Sequence, residues 1–97
     1  MLKLSAIYKT SLIEIINWNL TAYCSDENNV DEFKIRLNSL WDNIAFQKEC
    51  DLEIDDRYVC FLKEAIENAK NYIDESKIAK TDIEALWDWI FPIYMNK

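Results

Sequence analysis

A chain of 97 residues with 51% hydrophobic residues, including four Trp, five Tyr and four Phe, has enough apolar material for one folded domain spanning 1–97, which excludes disorder as its default state. Glycine is absent and proline occurs once, at Pro92, so the residues that build tight hairpin turns are missing and an all-α fold, a small four-helix bundle, is expected. A formal net charge of −7 argues against direct nucleic-acid binding and anionic membrane surfaces, and the lack of any histidine removes Ser-His-Asp and Cys-His catalysis.

The N-terminal stretch carries Lys3, but its apolar run is broken by Tyr8, Lys9, Thr10, Ser11 and Glu14 and has no small-residue cleavage site, so it does not read as a signal peptide. No stretch approaches the ~18 uncharged apolar residues of a membrane span. A cytoplasmic protein is expected. The first helix is predicted over residues 4–23, with polar positions on one narrow strip and apolar residues such as Leu4, Leu12, Ile15, Ile16 and Trp18 around the rest. Such a helix needs cover on two sides, from the rest of a bundle or from a second copy.

The next segment, Asp26 to Glu32, is acidic, and Glu49 to Asp56 is acidic again. Together they hold nine of the 18 acids and none of the 11 Lys and Arg, so they carry −9 while the remainder sums to +2, or 11 minus 9. Between them Val30, Phe33, Leu37, Leu40, Trp41 and Ile44 recur at three and four and predict a helix over 30–45, with Asn29 as its N-cap and Glu32 reaching back to it. A third helix over 55–74 is predicted from Tyr58, Phe61, Leu62, Ala65, Ile66, Ala69, Tyr72 and Ile73. The last begins at Thr81, paired with Glu84 in a capping box, carries Ile83, Leu86, Trp87, Ile90 and Tyr94, and is expected to kink or end at Pro92. Trp89 and Phe91 flank that stripe. No internal repeat is read.

Cys24, Cys50 and Cys60 are odd in number and have no C-x-x-C pair, which suggests reduced structural thiols. Asp51, Glu53 and Asp55 have the i, i+2, i+4 spacing that opens a calcium loop, but Asp56 stands where that loop needs glycine and Leu62 where it needs a bidentate Glu. No metal, cofactor or catalytic set is expected. Asp31, Glu32, Asp55 and Asp56 fall in predicted first turns, where they complement helix dipoles. Glu49, Asp51, Glu53, Asp26 and Glu27 are either solvated loop charges or part of a functional anionic face.

A small, acidic, reduced, helical chain without catalytic equipment resembles, over its whole length and in type, the bacterial immunity proteins that neutralise colicins or contact-dependent growth inhibition toxins. The segment DLEIDDRYVC, Asp51 to Cys60, is similar to the acidic segment with adjacent tyrosine by which nuclease-colicin immunity proteins grip their toxins, although Val59 follows Tyr58 where that family pairs two tyrosines. The resemblance implies a one-to-one inhibitor whose partner is a basic nuclease toxin domain; a monomer or weak dimer without catalytic turnover is expected from the residues themselves. Glu49, Asp51, Glu53, Asp55, Asp56, Asp26, Glu27, Asp31 and Glu32 would face its Lys and Arg, and Tyr58 or Phe46 would supply a desolvated anchor. The alternatives are a phage- or plasmid-type nucleic-acid mimic that blocks a host nuclease, a helical homodimer in regulation or assembly seamed by the first helix, and a small enzyme.

Overall fold

Leu2, Lys3 and Leu4 alternate apolar and polar, and so do Leu52, Glu53 and Ile54; two residues is the period of a strand, not of a helix. In the computed structural model, which describes residues 1–23, 32–47 and 51–96, these triplets form β1 (Leu2–Leu4) and β2 (Leu52–Ile54). They pair antiparallel with Leu2 opposite Ile54, Lys3 opposite Glu53 and Leu4 opposite Leu52. A 310 turn (Ala6–Tyr8) follows β1 and leads into α1 (Lys9–Trp18), which widens into a π turn (Asn19–Tyr23). α2 (Glu32–Ala45) comes next, then β2, a second 310 turn (Asp56–Tyr58) and α3 (Val59–Asn71). The short α4 (Ile73–Ser76) and α5 (Lys80–Met95) complete the order. The fold is thus mostly helical with a small two-stranded sheet, where the sequence reading has helix 1 starting at residue 4 and loop at 51–54.

The second half of the chain repeats the first. At an offset of 50, Leu2, Tyr8, Leu12, Glu14 and Ile16 match Leu52, Tyr58, Leu62, Glu64 and Ile66. At an offset of 46, Leu40, Trp41, Asp42 and Ile44 match Leu86, Trp87, Asp88 and Ile90, so the connection before the last helix is four residues shorter in the second half, 50 minus 46. The backbone agrees. Ser5 (φ −55°, ψ 138°) accepts from the N–H of Ile7, as Asp55 (φ −60°, ψ 137°) does from Arg57. Tyr8 and Tyr58 then take φ −93°, ψ 0° and φ −89°, ψ −1°. The strand register has the same symmetry: an approximate two-fold axis through the Lys3–Glu53 pair exchanges Leu2 with Leu52 and Leu4 with Ile54. Weak identity over short elements hides this repeat in the sequence.

The two halves close over one core. Leu12, Ile15 and Ile16 of α1 meet Leu62, Ala65 and Ile66 of α3, and Leu37, Leu40 and Ile44 of α2 are mirrored by Ile83, Leu86 and Ile90 of α5, all fully buried. The inner face of the first helix is therefore covered within the chain. At the join, the buried Asn19 donates to the carbonyls of Ile15 (2.8 Å) and Ala65 (3.0 Å) and accepts from Asn68 (3.0 Å), so both ends of its amide are satisfied. Ser11 of α1 donates to Asp82 of α5 at 2.8 Å. From α3, Lys63 and Lys70 lie over the rings of Tyr94 and Trp87 of α5, 5.0 and 4.6 Å from the centroids. The hydrogen bond from Lys63 to Glu67 raises the lysine's pKa above its ordinary value. No helix among the described residues is long and apolar enough to cross a membrane.

Two helix ends differ from expectation, and a third has an unusual close. α5 starts at Lys80 behind Ala79, with no side-chain cap, so Thr81 is already helical. Pro92 lies inside α5, which runs on to Met95; only the N–H that would have met the carbonyl four residues back is lost. With no glycine to take the left-handed position that closes α4, Lys77 takes it at φ 58°. The expected cap at Asn29 lies outside the described residues.

If the halves are equivalent units, the order in which they are joined should not matter. A circular permutant that starts at Asp51 and carries a short flexible linker from the end of α5 to Met1 is expected to unfold cooperatively within about 2 kcal/mol of the parent. A permutant without a cooperative transition would contradict the two-unit reading.

Candidate functional site

Because residues 52 and 54 of β2 face the core, residues 51, 53 and 55 face outward. The i, i+2, i+4 spacing of Asp51, Glu53 and Asp55 is thus the polar side of a strand. The strand aligns three carboxylates on one surface, but its surroundings engage most of them. Asp51 accepts from the N–H of Ala6 at 3.3 Å. Asp55 caps the 310 turn through the N–H of Arg57 at 2.9 Å and pairs with the Arg57 guanidinium at 3.7 Å. Asp56 lies 3.0 Å from the ammonium of Met1. Glu53 is different: its main chain is held, yet among the described residues its carboxylate has no ion-pair partner.

Gln47 does the holding. Its side-chain amide accepts from the N–H of Glu53 at 2.8 Å and donates to the Glu53 carbonyl at 2.8 Å, as a third strand would. Asn43 Oδ1 also accepts from it at 2.8 Å, and Lys9 Nζ donates to the Gln47 carbonyl. On the far edge, the indole N–H of Trp89 donates to the carbonyl of Lys3 at 3.0 Å. Trp89 is the repeat equivalent of Asn43, 43 plus 46. Side chains thus occupy outward-facing main-chain groups on both edges of the sheet. Over the strands lies an open groove of about 510 Å³ lined by Met1, Lys3, Asn43, Gln47, Asp51 and Glu53.

Met1 lines this groove, and two further exposed apolar residues, Phe46 and Ile7, lie close in the chain to residues bonded at it. Phe46, Ile7 and Met1 are 81%, 77% and 72% exposed, the highest values among the large apolar residues described. Phe46 adjoins Gln47, and Ile7 lies between Ala6, which bonds Asp51, and Lys9, which bonds Gln47. Residues that sequence reading missed here, Gln47 and Asn43 above all, give no signal in the chain, because their role exists only once α2 is laid against β2.

The structure corrects three of the expected sites. Tyr58 is 1% exposed and belongs to the core; Arg57 covers it, donating to its hydroxyl at 3.2 Å, so it cannot serve as a surface anchor without unfolding its turn. Glu32 starts α2 and pairs with Arg36 at 3.7 Å; fifteen residues of mostly helix at ~1.5 Å each put it about 20 Å from Gln47, and so well away from Glu53. Glu32 and Glu53 therefore do not act as one patch, since separations beyond ~10 Å are largely screened at ordinary salt. Cys60 is exposed rather than packed. Asp26, Glu27, Asp31 and Glu49, with Cys24 and Cys50, lie outside the described residues. Among the described residues no group of three or more His, Cys, Asp and Glu is placed to hold a metal ion.

Compared with protein-family models, curated proteins and solved structures, the chain matches none.

The contrast between Tyr58 and Phe46 is measurable by denaturant unfolding. Tyr58→Ala is expected to cost about 3–5 kcal/mol and Phe46→Ala less than about 0.5 kcal/mol. Near-equal costs would contradict the placement of Tyr58 inside and Phe46 outside.

Proposed function

We propose that the protein is a non-enzymatic, cytoplasmic inhibitor of the bacterial immunity type, which binds a basic nuclease toxin domain through the outward face of the strand pair. The observation that carries this reading is the coincidence of two features at one place. Among the described residues, the three most exposed large apolar side chains are Met1, which lines the groove that holds Asp51 and Glu53, and Ile7 and Phe46, which adjoin in the chain the residues Ala6 and Gln47 that bond to Asp51 and Glu53. The Glu53 carboxylate has no ion-pair partner among the described residues. Exposed apolar and aromatic side chains can anchor a protein partner, and a charge held in place beside them orients it. Because Gln47 fixes the backbone at Glu53, little ordering remains to be done on binding, which favours affinity.

In this reading Glu53, with Asp51 beside it, meets Lys or Arg of the partner where nucleic-acid phosphates would otherwise sit. Phe46 supplies the anchor that the resemblance assigned to Tyr58 or Phe46. Asp55 and Asp56 shape the local field while remaining tied to Arg57 and the Met1 ammonium.

The test uses the chain as bait in a bacterial extract and assays the captured protein for nuclease activity. Wild-type chain is expected to retain a basic nuclease and suppress it at one-to-one stoichiometry. Glu53→Gln with Asp51→Asn should slow association at low salt by about tenfold, and Phe46→Ala should speed dissociation by about tenfold. Retention of nothing basic, or equal retention by the wild-type and substituted chains, would overturn the reading.

A further inference from the structure

The same face is complementary to itself. Lys3 and Glu53 are register partners across the two strands. Glu53 gives its N–H and carbonyl to Gln47 and Lys3 gives its carbonyl to Trp89, so the pair turns its main-chain groups outward and the ladder bonds fall to the pairs on either side. This is the closer of the two antiparallel pairings, with Cα atoms about 4.5 Å apart. Both side chains are exposed, and among the described residues neither has an ion-pair partner, not even the other. An ammonium and a carboxylate thus stand side by side on the approximate two-fold axis; exposed Met1 lines the same groove, exposed Ile7 follows closely on Leu4 in the chain, and exposed Phe46 adjoins Gln47.

We propose that a second copy of this chain docks on this face, forming a weak isologous homodimer in which Lys3 of each copy meets Glu53 of the other. An isologous interface brings one patch against itself, so it needs a patch that carries both signs. With Lys3 over Glu53, both central contacts are attractive; with like over like, both are repulsive. The charges therefore fix the relative orientation, and the apolar residues supply the area removed from water. A net charge of −7 on each copy opposes association at long range and keeps the dimer weak. The regulatory consequence rests on the inhibitor reading above: the free chain covers its own binding face, and a basic partner must displace one copy to reach it. The dimer itself does not depend on that reading.

Sedimentation velocity on the purified chain, from micromolar to near-millimolar concentration, tests this without any partner. The average mass is expected to rise from one chain towards two. Lys3→Glu and Glu53→Lys should each raise the dissociation constant at least about tenfold, since like charges then meet at the centre. Mixing these two variants should restore association, because one chain then offers two carboxylates and the other two ammonium groups. Phe46→Ala should weaken the dimer with circular dichroism unchanged. A chain that stays monomeric throughout, or a mixture no more associated than its separate components, would overturn the proposal. If such a monomeric chain still captured a basic nuclease, the dimer would fail alone and the inhibitor reading would stand.

Discussion

The pairing of β1 with β2 is the constraint from which the other features follow. Two three-residue strands are too short to be stable on their own, and here they survive because both neighbouring layers are fixed around them. Leu2, Leu4, Leu52 and Ile54 enter the core from one side of the sheet, while Gln47 and Trp89 take up main-chain groups at its two edges. The pairing also joins the two halves of the chain. Each strand leads through a capped 310 turn into a core helix, so fixing the strands fixes where α1 and α3 begin, and through them where α2 and α5 must pack.

The fold also changes what the charge pattern means. Along the chain, Glu49 to Asp56 has no basic residue to balance it. In space, the β1 segment brings Lys3 opposite Glu53 and the Met1 ammonium to Asp56, and Arg57 turns back on Asp55. The surface that results is mixed in sign and has a small unsatisfied centre. Exposed charges are worth little to stability, so Lys3 and Glu53 are available for intermolecular contacts at low cost to the fold.

The helical faces were legible because each helix is long enough for a three-and-four pattern to recur: Leu37, Leu40 and Ile44, or Leu62, Ala65 and Ile66, point inward as their spacing implies. The strands were not, because three residues give only one and a half periods, and Leu4 also continues the apolar pattern of the helix behind it. Tyr58 was misassigned for a related reason. It lies beside four acids in sequence, but the 310 turn rotates it inward while Asp55, Asp56 and Arg57 stay out. The repeat is faint in the sequence because the shared positions are mostly core residues, where Leu, Ile and Ala substitute for each other, and because the offset changes from 50 to 46 between the two helices. Of the candidate site, the outward acids of β2 and Phe46 could be read from the chain, whereas Gln47 and Asn43 could not, since a side chain that completes a sheet edge has no local signature.

The register of the strand pair is the most direct point at which to test this account. In a nuclear Overhauser spectrum of the folded protein, the α-protons of Lys3 and Glu53 are expected to give a strong cross-peak, because a non-hydrogen-bonded antiparallel pair brings them into close contact. A strong peak between Leu2 and Ile54 α-protons in its place, or no α-proton contact between residues 2–4 and 52–54, would contradict the pairing and with it the two-fold arrangement, the aligned carboxylates and the groove above them.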